Sequence, residues 1–161
     1  MHRNILVAIA ALIVVVACGR SSPTRFDAAD QQAVIQEVRQ RLNEYSNAVT
    51  SKDIDAMLGF WSNSDDFVFA GDGAILGGYD QWSSLTRQDN EQTDHWVHWT
   101  WKNVHILPLS RNAASATLEF TYEKILTGGE TIEGYGSWTY VFRHTGKEWK
   151  VIHANGHHPV R

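Results

Sequence analysis

Apolar residues in the stretch 27–50 recur at intervals of three and four. Val34, Ile35, Val38, Leu42, Tyr45 and Val49 form one stripe, which predicts an amphipathic helix with Asp27 as its N-cap. Ile54, Met57, Leu58 and Trp61 repeat the spacing after Asp53, which can cap a second helix. Residues 67–70 read as a short strand, 71–78 as a glycine-rich loop or hairpin, and 79–85 as a short third helix capped by Asp80. Beyond Thr93 the period changes. Residues 95–109, 113–126, 130–144 and 148–157 are long β-prone segments joined by tight turns, the pattern of an antiparallel meander. In two of them Ala116, Leu118, Phe120 and Tyr122 oppose Thr117, Glu119, Thr121 and Glu123, and Trp138, Tyr140 and Phe142 oppose Thr139, Val141 and Arg143. One face is aromatic and belongs to a core. The predicted class is α+β, with three N-terminal helices packed on a curved, mostly antiparallel sheet.

The N-terminus stands apart from this pattern. A basic start with Arg3 precedes an unbroken apolar run over residues 5–16, which is the form of a secretory signal and too short for a membrane span of roughly 20 residues. Val15, Val16, Ala17 and Cys18 resemble the lipobox of bacterial lipoproteins. That resemblance implies a signal peptide over residues 1–17, acylation of Cys18, a lipidated tether over 18–26 and one domain over 27–161. It also implies an envelope location held to the membrane through Cys18. Arg20 in place of an inner-membrane retention Asp makes the periplasmic side of the outer membrane the expected site in a Gram-negative cell.

Charge and cysteine usage narrow the function classes. The 161 residues carry 14 Lys and Arg against 18 Asp and Glu, with a formal net charge of −4 and no basic stripe, so a nucleic-acid partner is not expected. Cys18 is the single cysteine, so no intrachain disulfide is available and the core alone must hold the fold. Seven Trp, five Tyr and six Phe give enough aromatic surface for a large core, a lined pocket or an interface.

Three strings carry a resemblance to a known family. SKDIDAMLGFWS leads into the second helix, GAILGGYDQW precedes the third, and GSWTYVFRHTGKEWKVIHANGHH closes the chain. In this order and spacing they resemble the NTF2-like superfamily, closest to the SnoaL-like 3 or DUF4440 branch. The resemblance implies a cone-shaped α+β barrel with a pocket in its open end. The closing strand of that branch commonly reads Trp, Lys or Arg, Ile or Val, any residue, His, matched here by Trp149, Lys150, Val151, Ile152 and His153. Relatives usually carry a second His where this chain has Asn155.

Strand alternation places Trp149, Val151, His153, Asn155 and His157 on one face, so His153 and Asn155 are expected to point into the cone. Ketosteroid isomerases share the fold, and their oxyanion Tyr stands eight residues before the Asp of the second helix, as Tyr45 stands before Asp53. The other isomerase groups are missing: Trp138 takes the place of the acid, and the base position falls near Ala70 or Gly71, with Asp72 a neighbour. Three readings follow. The first is a pocket for a small, largely apolar ligand, walled by Trp61, Trp82, Phe120, Tyr122 and Trp138, with Tyr45, His153 and Asn155 fixing its polar end. The second is a SnoaL-like lyase, isomerase or cyclase with His153 as general base and a partner group from among Tyr45, Tyr122, Tyr140 and Asp72. The third is a cone plugged by Trp138, Trp149 and Trp61, acting as a homodimeric interaction module. No cofactor is implied. No metal is expected either, because His153 and His157 would stand about 13 Å apart along a strand, too far to share an ion. The segment HWVHWTW over 95–101 reads as a strand that either closes the cavity or meets another protomer.

Overall fold

The computed structural model describes residues 25–159, so the signal and lipidation expectations, Cys18 included, lie outside the described residues. Helix α1 (Ala28–Thr50) begins where the cap was expected. Asp27 accepts from the Asp30 backbone N–H at 2.9 Å, and the Asp30 side chain answers by accepting from the Asp27 N–H at 3.0 Å. Its buried stripe of Val34, Val38, Leu42, Tyr45, Ala48 and Val49 is the face it lays on the sheet. Helix α2 (Ile54–Gly59) is capped by Asp53 through the Ala56 N–H and ends two residues before Trp61, which bridges to Val151 in the sheet.

Strands β1 (Val68–Gly71) and β2 (Ala74–Gly77) form a hairpin. Its turn residues Asp72 and Gly73 both take positive φ, 51° and 84°, as a two-residue hairpin turn of the I′ kind requires. Helix α3 (Tyr79–Gln92) follows this hairpin, in the element order read from the sequence, so the three helices do not form one N-terminal block ahead of the sheet. It begins at Gly78 with no side-chain cap rather than at Asp80, and it runs past Leu85 because residues 86–92 contain no helix breaker.

Four long strands then form the meander: β3 (Thr93–Ser110), β4 (Ala113–Leu126), β5 (Thr131–His144) and β6 (Trp149–His157). The six strands lie in the order β2-β1-β6-β5-β4-β3, an unclosed sheet. All pairings are antiparallel except β1 with β6, which makes the sheet mixed. The core lies between α1, α2 and the aromatic inner face of this sheet, where Phe60, Phe120, Phe142 and Val151 are at most 1% exposed.

Register irregularities decide which side chains face inward. β3 slips against β4 at four places, and the slip between Trp96 and His98 leaves Val97 as an extra residue. A bulge inverts the alternation, so Trp96 and Trp99, three residues apart, both reach the inner side. A second slip lies between β5 and β6: Phe142 pairs with Val151 but Val141 with His153, so Ile152 is the extra residue. Trp149 and Val151 are buried before the bulge and Ala154 after it. The parity of the closing strand is thereby reversed beyond Ile152.

Candidate functional site

An open cavity of about 330 Å³ lies between α1, α3 and the inner face of the sheet. Tyr45 from α1, Trp82 from α3, Trp96 and Trp99 from β3, and Trp138 and Tyr140 from β5 supply much of its wall. Trp61 joins them from the end of α2, and the bulge at Val97 explains how one strand contributes two tryptophans. The rings pack on one another rather than filling the space. Trp82 stacks on Phe69 with centroids 4.1 Å apart, Trp61 meets Trp82 edge-on at 4.8 Å, and Trp99 stacks on Tyr122 at 5.6 Å.

Of the expected wall residues, Trp61, Trp82, Tyr122 and Trp138 line the cavity, and so does Tyr45. Phe120 stands behind this wall, stacked 5.4 Å from Trp99. His153 and Asn155 are not among the lining residues, which corrects the expectation from simple alternation. The bulge at Ile152 turns them away and brings Ala154 to the inner face, leaving His158 to reach the cavity. Trp149 does not plug the cone: its indole N–H donates to Glu37 at 2.7 Å on the α1 side.

At the rim His158 and Asp72 form a dyad. The carboxylate of Asp72 accepts the His158 backbone N–H at 2.6 Å on Oδ1, while Oδ2 lies 2.8 Å from ring Nδ1. Burial pushes the Asp72 pKa up, but the backbone and ring hydrogen bonds from His158 outweigh it and hold the carboxyl below its ordinary value. An ionised carboxylate can only accept, so Nδ1 of neutral His158 carries the proton and Nε2 keeps a lone pair. The imidazole packs edge-on against Phe120 at 5.1 Å and Trp138 at 5.7 Å. The positive φ of Asp72 belongs to the hairpin turn, which carries its carboxylate to this contact.

Deeper in, two phenols face the same space. Tyr45 and Tyr140 are 6% and 3% exposed, and both line the cavity. Burial pushes the pKa of each upward, and the proximity of the Trp61 indole only partly offsets this for Tyr45. Both therefore stay protonated and can donate. Among the described residues the indole N–H groups of Trp61, Trp82, Trp96 and Trp99 are buried without a geometrically aligned hydrogen-bond partner, and the phenols supply donors to the cavity.

Lys124 and Asp89 complete the lining. The Lys124 Nζ lies 2.5 Å from Asp89 Oδ1 and 4.9 Å from the centroid of the Trp96 ring. Sequence reading missed this lysine, although it continues the inward series 116, 118, 120, 122. Among the described residues no group of three or more His, Cys, Asp or Glu side chains is placed to hold a metal ion.

The family model of the SnoaL-like domain matches residues 38–159, most of the chain, and the protein belongs to that family. No curated protein sequence matches it. Among solved structures it is similar to an NTF2-like superfamily protein from Salmonella enterica subsp. enterica serovar Typhimurium LT2, with TM-score 0.69 and 16% identity, covering 81% of this chain and 94% of that one. It is also similar to a hexachlorocyclohexane dehydrochlorinase, LinA type 2, with TM-score 0.67 and 14% identity over 83% and 90% of the two chains. A third, from Novosphingobium aromaticivorans DSM 12444 and named as a candidate scytalone dehydratase, gives TM-score 0.72 and 12% identity over 83% and 89%. At these identities the likeness establishes the NTF2-like fold.

Proposed function

We propose that the cavity binds a small, largely apolar molecule bearing a hydrogen-bond-accepting oxygen, and that His158 moves a proton on it, a reaction of the lyase or isomerase class. The observation that carries this reading is the His158–Asp72 dyad on the rim of an aromatic cavity, with Nδ1 held at 2.8 Å and Nε2 without a hydrogen-bond partner among the described residues. The wall takes up the ligand's apolar body, and Tyr45 and Tyr140 hydrogen-bond its oxygen. If that oxygen gains negative charge as a proton leaves the neighbouring carbon, two neutral phenols in a water-poor site stabilise it. Asp72 orients the imidazole and balances the imidazolium that forms. His158 replaces His153 as the base. The names of two structural neighbours, a dehydrochlorinase and a candidate dehydratase, are consistent with this class but come from proteins under 15% identical.

One observation favours binding without chemistry: the His158 side chain is 39% exposed, so water reaches the proposed base. Attachment to the envelope through lipid on Cys18 is proposed from the sequence alone.

The binding half is tested by titrating 2-tetralone, an aromatic ketone, into the protein while following tryptophan fluorescence. The expected result is saturable one-site quenching, weakened in a Tyr45→Phe, Tyr140→Phe double variant that retains the rings. Quenching that never saturates, or that is unchanged by removing both hydroxyls, would overturn the reading.

A further inference from the structure

Lys124 is a cation where the surrounding surface is aromatic. It is 7% exposed and occupies an inward position of β4, pairing across to Trp96 in β3. Removing an ammonium from water costs several kcal/mol, by rough estimate, and a partner must offset that cost. Its partner Asp89 is unequal: the Asp89 side chain keeps 50% exposure against 9% for Lys124. Water therefore screens the negative charge, while the positive charge remains against the cavity. The carboxylate of Asp72 at the rim is likewise 50% exposed. The lining thus holds a buried cation and no equally buried anion.

The ammonium also has unused capacity. It has three N–H donors; Asp89 accepts one and the face of Trp96 can receive another. No further acceptor is present for Lys124 among the described residues. Tyr122 packs edge-on against the same Trp96 ring, with centroids 5.7 Å apart, which places this phenol toward the Lys124 end of the cavity.

Resting on the ligand-binding reading above, we propose that Lys124 recognises a carboxylate on the ligand. The ligand class is then a small aromatic or alicyclic monocarboxylate, its anionic end at Lys124 and its apolar body along the tryptophan wall. A neutral carbonyl would satisfy the phenols alone. An anion also answers the buried charge, and hydrogen bonds to charged groups are about twice as strong as neutral ones.

The test is calorimetric titration of the protein at pH 7 with 2-naphthoate, its isostere 2-naphthamide, and 2-naphthylmethylammonium. The expected result is naphthoate binding about tenfold or more tighter than the amide. Lys124→Met should abolish that preference. Lys124→Gln keeps a donor without the charge, should lose the preference too, and serves if the Met variant fails to fold. Asp89→Asn should tighten naphthoate. Equal affinity for acid and amide, tightest binding of the ammonium, or a preference that survives both Lys124 substitutions would overturn the proposal. Amide binding without acid preference overturns this inference alone; failure of all three probes overturns the cavity reading with it.

Discussion

Asp72 holds His158 twice, accepting its backbone N–H at 2.6 Å and facing its ring Nδ1 at 2.8 Å. The two residues lie 86 positions apart, one in the turn of the first hairpin and the other just beyond the last strand. The parallel pairing of β1 with β6 brings them together, with Gly71 opposite Gly156. The His158–Asp72 pair at the rim is therefore a product of sheet topology.

The first expectation concerns this pair. Neutral His158 should be the Nδ1–H tautomer, visible in long-range proton–nitrogen correlation spectra, and Asp72→Asn should remove that bias. The folded pKa of Asp72 is depressed, so its contribution to stability is fully present above the ordinary carboxyl value of about 4 and is lost as pH falls through the lower folded value. A urea-denaturation series should therefore show wild type losing its margin over Asp72→Asn as acid is added. A constant margin across the acid range would contradict the dyad.

Tyr45 and Tyr140 titrate in the opposite sense. Burial raises both folded pKa values above the ordinary 10.0, so the folded state keeps protons that the unfolded chain releases. Their stabilising effect is complete below about pH 10 and declines as pH climbs toward the folded values. In tyrosinate absorbance these two should ionise only as the fold is lost. Early ionisation of all five tyrosines would place the two phenols in water.

Gly71 guards the shape of the cavity. A Cβ added there would stand 2.4 Å from Cη2 of Trp138, and the strand backbone leaves the ring as the group that must move. Gly71→Ala should cost about 1–3 kcal/mol in urea unfolding and push Trp138 into the cavity, weakening 2-tetralone. Unchanged stability and affinity would mean that Trp138 is free to shift.

Trp101 is the tryptophan of HWVHWTW that serves structure. Its Nε1–H donates to the Leu42 carbonyl at 2.9 Å, tying β3 to α1. Trp101→Phe keeps most of the ring and should cost about 1 kcal/mol while leaving ligand affinity unchanged.

Much of this architecture was legible from local pattern. The stripe from Val34 to Val49 and the Asp27 and Asp53 caps gave the first two helices, and alternation gave β4 with both ends correct. These features depend on spacing within one segment. The errors lie where pairing between segments decides. A bulge at Ile152 exists only because β5 and β6 register on either side of it, so alternation carried unbroken through that residue picked His153 and Asn155 instead of His158. The same effect hid the joint inward placement of Trp96 and Trp99. Lys124 was legible in principle, two positions beyond Tyr122 on the inner face, but its charge marked it as a surface residue. Helix α3 was cut short because its apolar positions end at Leu85 while its polar face continues to Gln92.

The most direct test of proton transfer at His158 is solvent deuterium exchange. The protein is incubated with 2-tetralone in D2O and the α-proton signals are followed by proton NMR, with buffer alone as the reference. The reading requires exchange faster than buffer, abolished in His158→Ala, reduced in Asp72→Asn and untouched in His153→Ala. Exchange at the buffer rate despite saturable binding, or acceleration that survives the loss of His158, would contradict it.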